Sequence, residues 1–411
     1  MHRIKSYLIL LAAVLLVGCN GIDRPFTGTF DQVLIYYGMG YNNLSGNLRT
    51  NLDQLRSDVL PGLSYDKAIV VFSHNTSVSG DYKTYNEPVL MRFYRGSDGK
   101  PVTDTLKVYD NMDVSASKES MRQVLEDVKA RFPARRYGLL VSSHGTGWLP
   151  PGYNYNSEAS RLARRKALAQ PAQPWPETKA IGNQYLGSSS STTWIPLEDF
   201  AGAIPMHLDY LILDNCLSGA VELAYELKDV CDRFVVSPAE ILTAGMVYST
   251  LSWDMFAGGD PDLRTYCREY FQYYDAQSGN HRAGTVTLVE SAGLDALAGA
   301  FGAIVDAHRA ALADPALRES VQRYYYGSSS LRFFYDLRDL CVQLGATPAE
   351  LDRLGAALAA AVPYHAETPM FFDLPLERCC GLSVYIPESG RPALNDYYRS
   401  LAWNRAVRLV E

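Results

Sequence analysis

Five short, mostly apolar runs constrain this chain more than any other feature. They are Gln32 to Tyr37, Ala68 to Phe72, Tyr137 to Ser142, Leu208 to Leu213 and Arg233 to Val236. A strand covered on one face alternates apolar with polar, whereas a strand buried on both faces reads as an unbroken apolar run. Helical spacing fills the gaps between these runs. Leu44, Leu48, Leu52 and Leu55 recur at that spacing, as do Met121, Val124, Leu125 and Val128 within Ser115 to Arg131, a helix started by Ser115 or Ser117. The stretch from Gly219 to Leu227 is helical as well. Parallel neighbours need a crossover, so strands alternating with helices imply a mostly parallel sheet covered on both faces. Val89 to Val108 departs from the pattern as a hairpin, with Ser97-Asp98-Gly99 at its turn. After about residue 255 the chain is mainly helical, with Ala-rich runs at 292–313 and 347–362, a late strand at 381–386 and a closing helix near 393–407. The expected fold is α/β, a three-layer sandwich with a mostly parallel central sheet and a largely helical C-terminal extension. The expected division is 31–255 for the sheet domain and 256–411 for the region packed on it.

The N-terminus reads as a targeting segment. His2, Arg3 and Lys5 precede an apolar stretch from Tyr7 to Val17, too short for the ~20 helical residues that span a bilayer. The ending Leu16-Val17-Gly18-Cys19 resembles a bacterial lipobox, so residues 1–18 are expected to be a signal peptide and Cys19 a lipidated N-terminus. Residues 19–30 then form a tether broken by Gly21, Pro25 and Gly28. The expected location is the bacterial cell envelope, anchored by lipid on the periplasmic face or the cell surface. Composition, 47% hydrophobic and 20% charged, suits a globular body. A net charge of -7 spread along the chain gives no counterion-release drive towards nucleic acid, so none is expected as a partner. A monomer is expected. Six further cysteines, at 216, 231, 267, 341, 379 and 380, show no CxxC spacing and suggest neither a zinc site nor a dense disulfide scaffold.

Two of the apolar runs end in reactive side chains, Ser142-Ser143-His144-Gly145-Thr146-Gly147 and Leu213-Asp214-Asn215-Cys216-Leu217-Ser218-Gly219. Open parallel sheets hold their ligands beyond the carboxyl ends of the strands. If the two strands are near neighbours, His144 and Cys216 share one edge. An adjacent imidazole activates a thiol and can later protonate a leaving amine. The Gly145 N–H, with no side chain in the way, and the Cys216 N–H can together receive a developing oxyanion. Each residue also has a plainer reading: Cys216 as a small buried hydrophobe, His144-Gly145 as a turn, Asp214 as a helix cap.

The two motifs together resemble the clostripain family of cysteine peptidases, which share the caspase, gingipain and legumain fold. Ser237-Pro238-Ala239-Glu240, Gly245-Met246-Val247-Tyr248 and Gly381-Leu382-Ser383-Val384-Tyr385-Ile386-Pro387 add to the likeness, which runs from about residue 31 to 405. The resemblance implies a caspase-like fold and cleavage of a peptide or protein substrate. It makes His144 and Cys216 the catalytic dyad, and Gly145 and Cys216 the oxyanion donors. It makes Asp214 an acid at the base of a pocket that favours Arg or Lys. Glu240 either lines that pocket or holds a loop, and Ile241-Leu242-Thr243-Ala244 departs from the family by offering no second acid. The resemblance also implies maturation within 151–193, a Pro-, Gly- and Ser-rich segment far longer than a usual connector. Arg161, Arg164, Arg165, Lys166 and Lys179 there are sites a basic-specific enzyme could cut. No cofactor is expected. Calcium enters only because some family members need it, and no Asp-x-Asp-x-Asp-Gly loop is present.

Two rival readings stand beside this one. The first is a catalytically silent surface lipoprotein of the same fold that acts as a binding module. The second, a Ser hydrolase using Ser142 or Ser143, lacks a Gly-x-Ser-x-Gly elbow at a strand-to-helix turn. His74 reads as a strand-end residue near the mouth of the site, and His207, His281, His308 and His365 have no partner visible in the sequence.

Overall fold

A computed structural model describes residues 24–75, 87–150, 184–186, 189–193, 195–325 and 332–411. The signal segment, Cys19 and the five basic residues of the 151–193 loop lie outside the described residues.

Fifteen strands are present among the described residues. They are β1 Phe30–Gly40, β2 Lys67–Asn75, β3 Val89–Arg95, β4 Pro101–Val108, β5 Ala134–Ser142, β6 Gln184–Leu186, β7 Ser189–Thr193 and β8 Tyr210–Asp214. Then follow β9 Arg233–Val236, β10 Thr285–Glu290, β11 Tyr335–Asp336, β12 Tyr364–Glu367, β13 Met370–Phe371, β14 Leu374–Pro375 and β15 Ser383–Val384. Nine of them form one sheet in the order β12-β10-β9-β8-β5-β1-β2-β3-β4. The middle five, β9 to β2, run parallel, and two antiparallel strands flank them on each side. All five apolar runs became these middle strands. Leu34, Ile35, Val70, Val71, Leu211 and Ile212 are fully buried, as strands covered on both faces require.

Helices cover both faces. On one face lie α1 Ser45–Ser57, α5 Leu251–Phe256 and α6 Leu263–Asp275; on the other lie α2 Lys118–Arg131, α3 Leu197–Ala203 and α4 Val221–Leu227. The leucine stripe of α1 is at most 1% exposed, and Ser117 caps α2 by accepting from the Ser120 N–H at 3.1 Å.

The region after 255 is helical, as expected, but it also supplies two strands of the main sheet. β10 and β12 were passed over in the sequence because an antiparallel edge carries short, mixed strands such as Thr285-Val286-Thr287 and Tyr364-His365-Ala366. The Ala-rich runs became α7 Leu294–His308 and α10 Pro348–Ala361, with α8 Leu317–Ser320 and α9 Leu337–Gln343 between them. The closing helix is two, α11 Pro392–Arg399 and α12 Ala402–Val407. The expected strand at 381–386 shortens to β15, which pairs with β11 outside the main sheet.

One glycine shows how tightly the middle of the sheet is packed. Gly138 of β5 stands opposite Tyr210 of β8, and a Cβ there would lie 1.9 Å from Cζ of the Tyr210 ring. Tyr210 cannot swing aside freely, because its hydroxyl accepts from the Gln32 amide at 3.3 Å in β1. Gly138→Ala is expected to destabilise the fold by about 1–3 kcal/mol through overpacking. Urea denaturation of the variant beside the wild type measures this; an unchanged midpoint would contradict the packing described.

Candidate active site

The chain runs β1 to β2 on one side of β1 and then crosses to β5 on the other, so the topological switch lies between β1 and β5. This is where open α/β sheets bind their ligands. In the parallel pair of β5 and β8, Ser142 stands opposite Asp214. His144 and Cys216 each follow two residues beyond that pair, so both leave the same rim at the same height. The loops that carry them touch. A Cβ on Gly145 would meet Cγ of Asn215 and the carbonyl oxygen of Cys216, each at 2.8 Å, so only glycine lets these backbones approach so closely. Leu217, immediately after the cysteine, holds a left-handed φ of 60°, a strained conformation fixed by its N–H donating to the Ala239 carbonyl at 2.9 Å.

His144 is buried and its Nε2 lies 2.8 Å from Oδ1 of Asn43, in the loop after β1. The Asn43 oxygen accepts at that nitrogen when the ring carries its proton on Nε2. Cys216 is fully buried and is not part of a disulfide. Its Sγ accepts from the Ile241 N–H at 3.2 Å and lies 3.6 Å from the Ile241 carbonyl oxygen. A cleft opens beside the pair. Ser143, His144, Gly145, Asn215, Leu197 and Phe200 help to line it. Leu149 and Ile195, which flank the 151–193 segment, line it too.

The family model of the clostripain family matches residues 175–325. The structure of an inactive zymogen C11 protease from Parabacteroides distasonis is 25% identical, with 93% of this chain and 99% of that one covered at a TM-score of 0.73. The chain is similar to the clostripain family of cysteine peptidases, in sequence over residues 175–325 and in fold over nearly its whole length. A secreted C11 cysteine protease from Bacteroides thetaiotaomicron has the same fold at 22% identity, 93% and 100% coverage and a TM-score of 0.72. A secreted C11 protease of that organism in complex with an irreversible peptide inhibitor also matches, at 20% identity, 92% and 98% coverage and a TM-score of 0.72. No curated protein matches the sequence.

In this chain the two expected specificity acids lie inside. Asp214 is fully buried; its carboxylate accepts from the Ser142 hydroxyl at 2.8 Å, the Tyr248 hydroxyl at 2.5 Å and the Met246 N–H at 3.1 Å. Side chains alternate along a strand, so Leu213 and Asn215 face the cleft while Asp214 faces the opposite side of the sheet. There it meets tyrosines. Burial, with the negative charge of Asp214 added, pushes the phenols of Tyr36, Tyr248, Tyr266 and Tyr270 up and keeps them protonated. Glu240 is also buried, one residue before the Ile241 backbone that covers the thiol.

Other histidines find structural uses. His74 ends β2 with Nδ1 3.0 Å from the Ser115 hydroxyl and its ring stacked on Tyr41, and burial lowers its pKa to about 4. His207, His308 and His365 pair with Asp232, Glu350 and Glu367. Among the described residues no group of three or more His, Cys, Asp or Glu side chains is arranged to hold a metal ion. No described helix is long and apolar enough to cross a membrane.

The C-terminal region braces both the His144 and the Cys216 loops. Phe334 lies against Gly147, where a Cβ would be 2.6 Å from its ring, and the Ser383 N–H donates to the Gly219 carbonyl at 2.8 Å. Beneath them Glu222 of α4 is fully buried and accepts from the Tyr385 N–H at 2.9 Å and the Tyr398 hydroxyl at 2.7 Å. Its other oxygen, Oε2, has no hydrogen bond among the described residues. Burial raises this carboxyl from its ordinary 4.5 to about 7. The folded chain therefore holds a proton that the unfolded chain releases near 4.5. The stability from this group is complete below that pH and is lost as pH rises through about 7. Glu222→Gln keeps the acceptor and removes the charge. It is expected to flatten the pH dependence of unfolding between those limits and to stabilise the protein at pH ~8 by on the order of 2–3 kcal/mol. Thermal or urea unfolding across pH checks this; parallel wild-type and variant curves would refute it.

Proposed function

We propose that the protein is an exported, lipid-anchored cysteine endopeptidase in which Cys216 is the nucleophile and His144 its proton carrier. The observation that carries the reading is the contact of Gly145 with Asn215 and Cys216, which brings the two motifs to one rim within van der Waals distance. Asn43 joins them as a positioning residue, because a proton fixed on Nε2 leaves Nδ1 to exchange one with the thiol. The Cys216 thiolate attacks the scissile carbonyl, and the Gly145 and Cys216 N–H groups receive the oxyanion. His144 protonates the departing amine, and water then releases the acyl group from the sulfur.

The described arrangement is a closed form. Cys216 is sealed beneath the Ile241 backbone, and the P. distasonis relative was itself described as an inactive zymogen. Opening then follows a cut in the 151–193 segment. Leu149 before it and Ile195 after it both line the cleft, so a cut between them frees both walls. The proposed P1 preference is Arg or Lys, for a side chain that enters on the Asp214 side of the sheet, away from the cleft, once the Met246–Tyr248 segment lets go of Asp214. The buried thiol also favours a second reading, a silent lipoprotein that binds peptides without cutting them.

Purified protein, incubated alone and then assayed with peptides carrying Arg, Lys, Leu or Asp at P1, is expected to split within 151–193 and to cleave after Arg or Lys. Cys216→Ala is expected to stay intact and inactive. A wild type that neither splits nor turns over any peptide would favour the silent binder. Asn43→Ala is expected to lower kcat about tenfold to a hundredfold with little change in KM, as loss of a positioned proton carrier does. A change confined to KM would remove Asn43 from this role.

A further inference from the structure

The central sheet has two rims, and the catalytic loops occupy only one. At the opposite rim the chain enters β1, where the Phe26 N–H donates to the Leu63 carbonyl at 3.1 Å in the loop before β2. That loop and the neighbouring α5 carry the three most exposed large hydrophobic side chains among the described residues: Tyr65 at 61%, Val59 at 56% and Trp253 at 54%. The surface that presents them is firmly built. The Asp58 carboxylate accepts from the Ser252 N–H at 2.6 Å, the Ser252 hydroxyl donates to the Val59 carbonyl at 2.7 Å, and the Lys67 ammonium donates to the Phe256 carbonyl at 2.5 Å. Arg136 ties the same rim together by pairing with Asp31 and Asp260, each at 2.7 Å.

We propose that this rim is a membrane-contact surface, with Val59, Tyr65 and Trp253 seated in the headgroup layer of the bilayer that holds the lipid on Cys19. The inference rests on the lipid-anchored reading above. Residues 20–23 are all that separate Cys19 from Arg24. At full stretch that span reaches about 17 Å, so an anchored body keeps this rim near the bilayer. Trp and Tyr, apolar in body and polar at the tip, collect at membrane–water boundaries. Exposed charges around the patch are mixed, Arg24 and Arg135 beside Asp66 and Asp260, so a zwitterionic surface suffices and anionic lipid is not required. The lipid tethers and the patch orients. Because β1 alone spans eleven residues, about 35 Å, the catalytic rim then faces away from the membrane.

The test uses the full-length acylated protein in phosphatidylcholine vesicles whose acyl chains carry bromine near the headgroup. Wild type is expected to float with the vesicles and to lose part of its tryptophan fluorescence to bromine, with no effect of added salt. In Trp253→Phe the quenched component is expected to disappear. The triple variant Val59→Ser, Tyr65→Ser, Trp253→Ser is expected to float and to cleave soluble peptide like wild type, which shows that it folds. Flotation with equal quenching of wild type and Trp253→Phe overturns the contact surface and leaves the anchor standing. Failure of the wild type to float overturns the anchor, and the inference falls with it.

Discussion

The parallel register of β5 against β8 governs everything the site can do. With Ser142 opposite Asp214, the two motifs emerge level with one another, and a slip of one residue would send every side chain of one strand to the other face. Gly138 under the Tyr210 ring helps to hold that register, since a ring at 1.9 Å from a Cβ position tolerates no other residue there. The glycine at 145 then lets the two loops close on each other. The geometry of this rim is a product of backbone pairing first and side-chain chemistry second.

What could be read in the sequence follows from how each part is built. The middle five strands were legible because burial on both faces leaves a mostly apolar run, and the meeting of the His144 and Cys216 loops at one rim was legible because each loop follows such a run. Edge strands carry no such mark. In β10 the hydroxyls of Thr285 and Thr287 are consumed by Ser237 and the Gly381 carbonyl, so residues that look polar are inside. The contact of Asn43 with His144 was missed because a lone asparagine in a loop has no spacing to betray it. Its position just past the strand at the topological switch was the one available clue. The interior placement of Asp214 also lay beyond the sequence, because its donors Met246 and Tyr248 come from a loop more than thirty residues away.

Burial divides the polar groups of this molecule into two kinds. Asp214 is enclosed with three donors and anchors a nest of protonated tyrosines. Glu222 is enclosed with two donors and one idle oxygen, and its carboxyl is pushed towards neutrality. The first strengthens the floor of the site. The second makes the brace between α4 and the C-terminal segment responsive to pH, because a low-dielectric interior penalises any charge it does not fully solvate.

The strands that carry histidine and cysteine are sheet neighbours, yet the chain between them passes through the 151–193 segment. Were that segment severed, the two halves of the site would belong to separate polypeptides joined only by non-covalent contacts: hydrogen bonds, ion pairs and packing. Folding of such a species is bimolecular, and a melted pair must find each other again before the sheet can re-form. An activated molecule would therefore endure by the height of its unfolding barrier and would not recover once that barrier had been crossed.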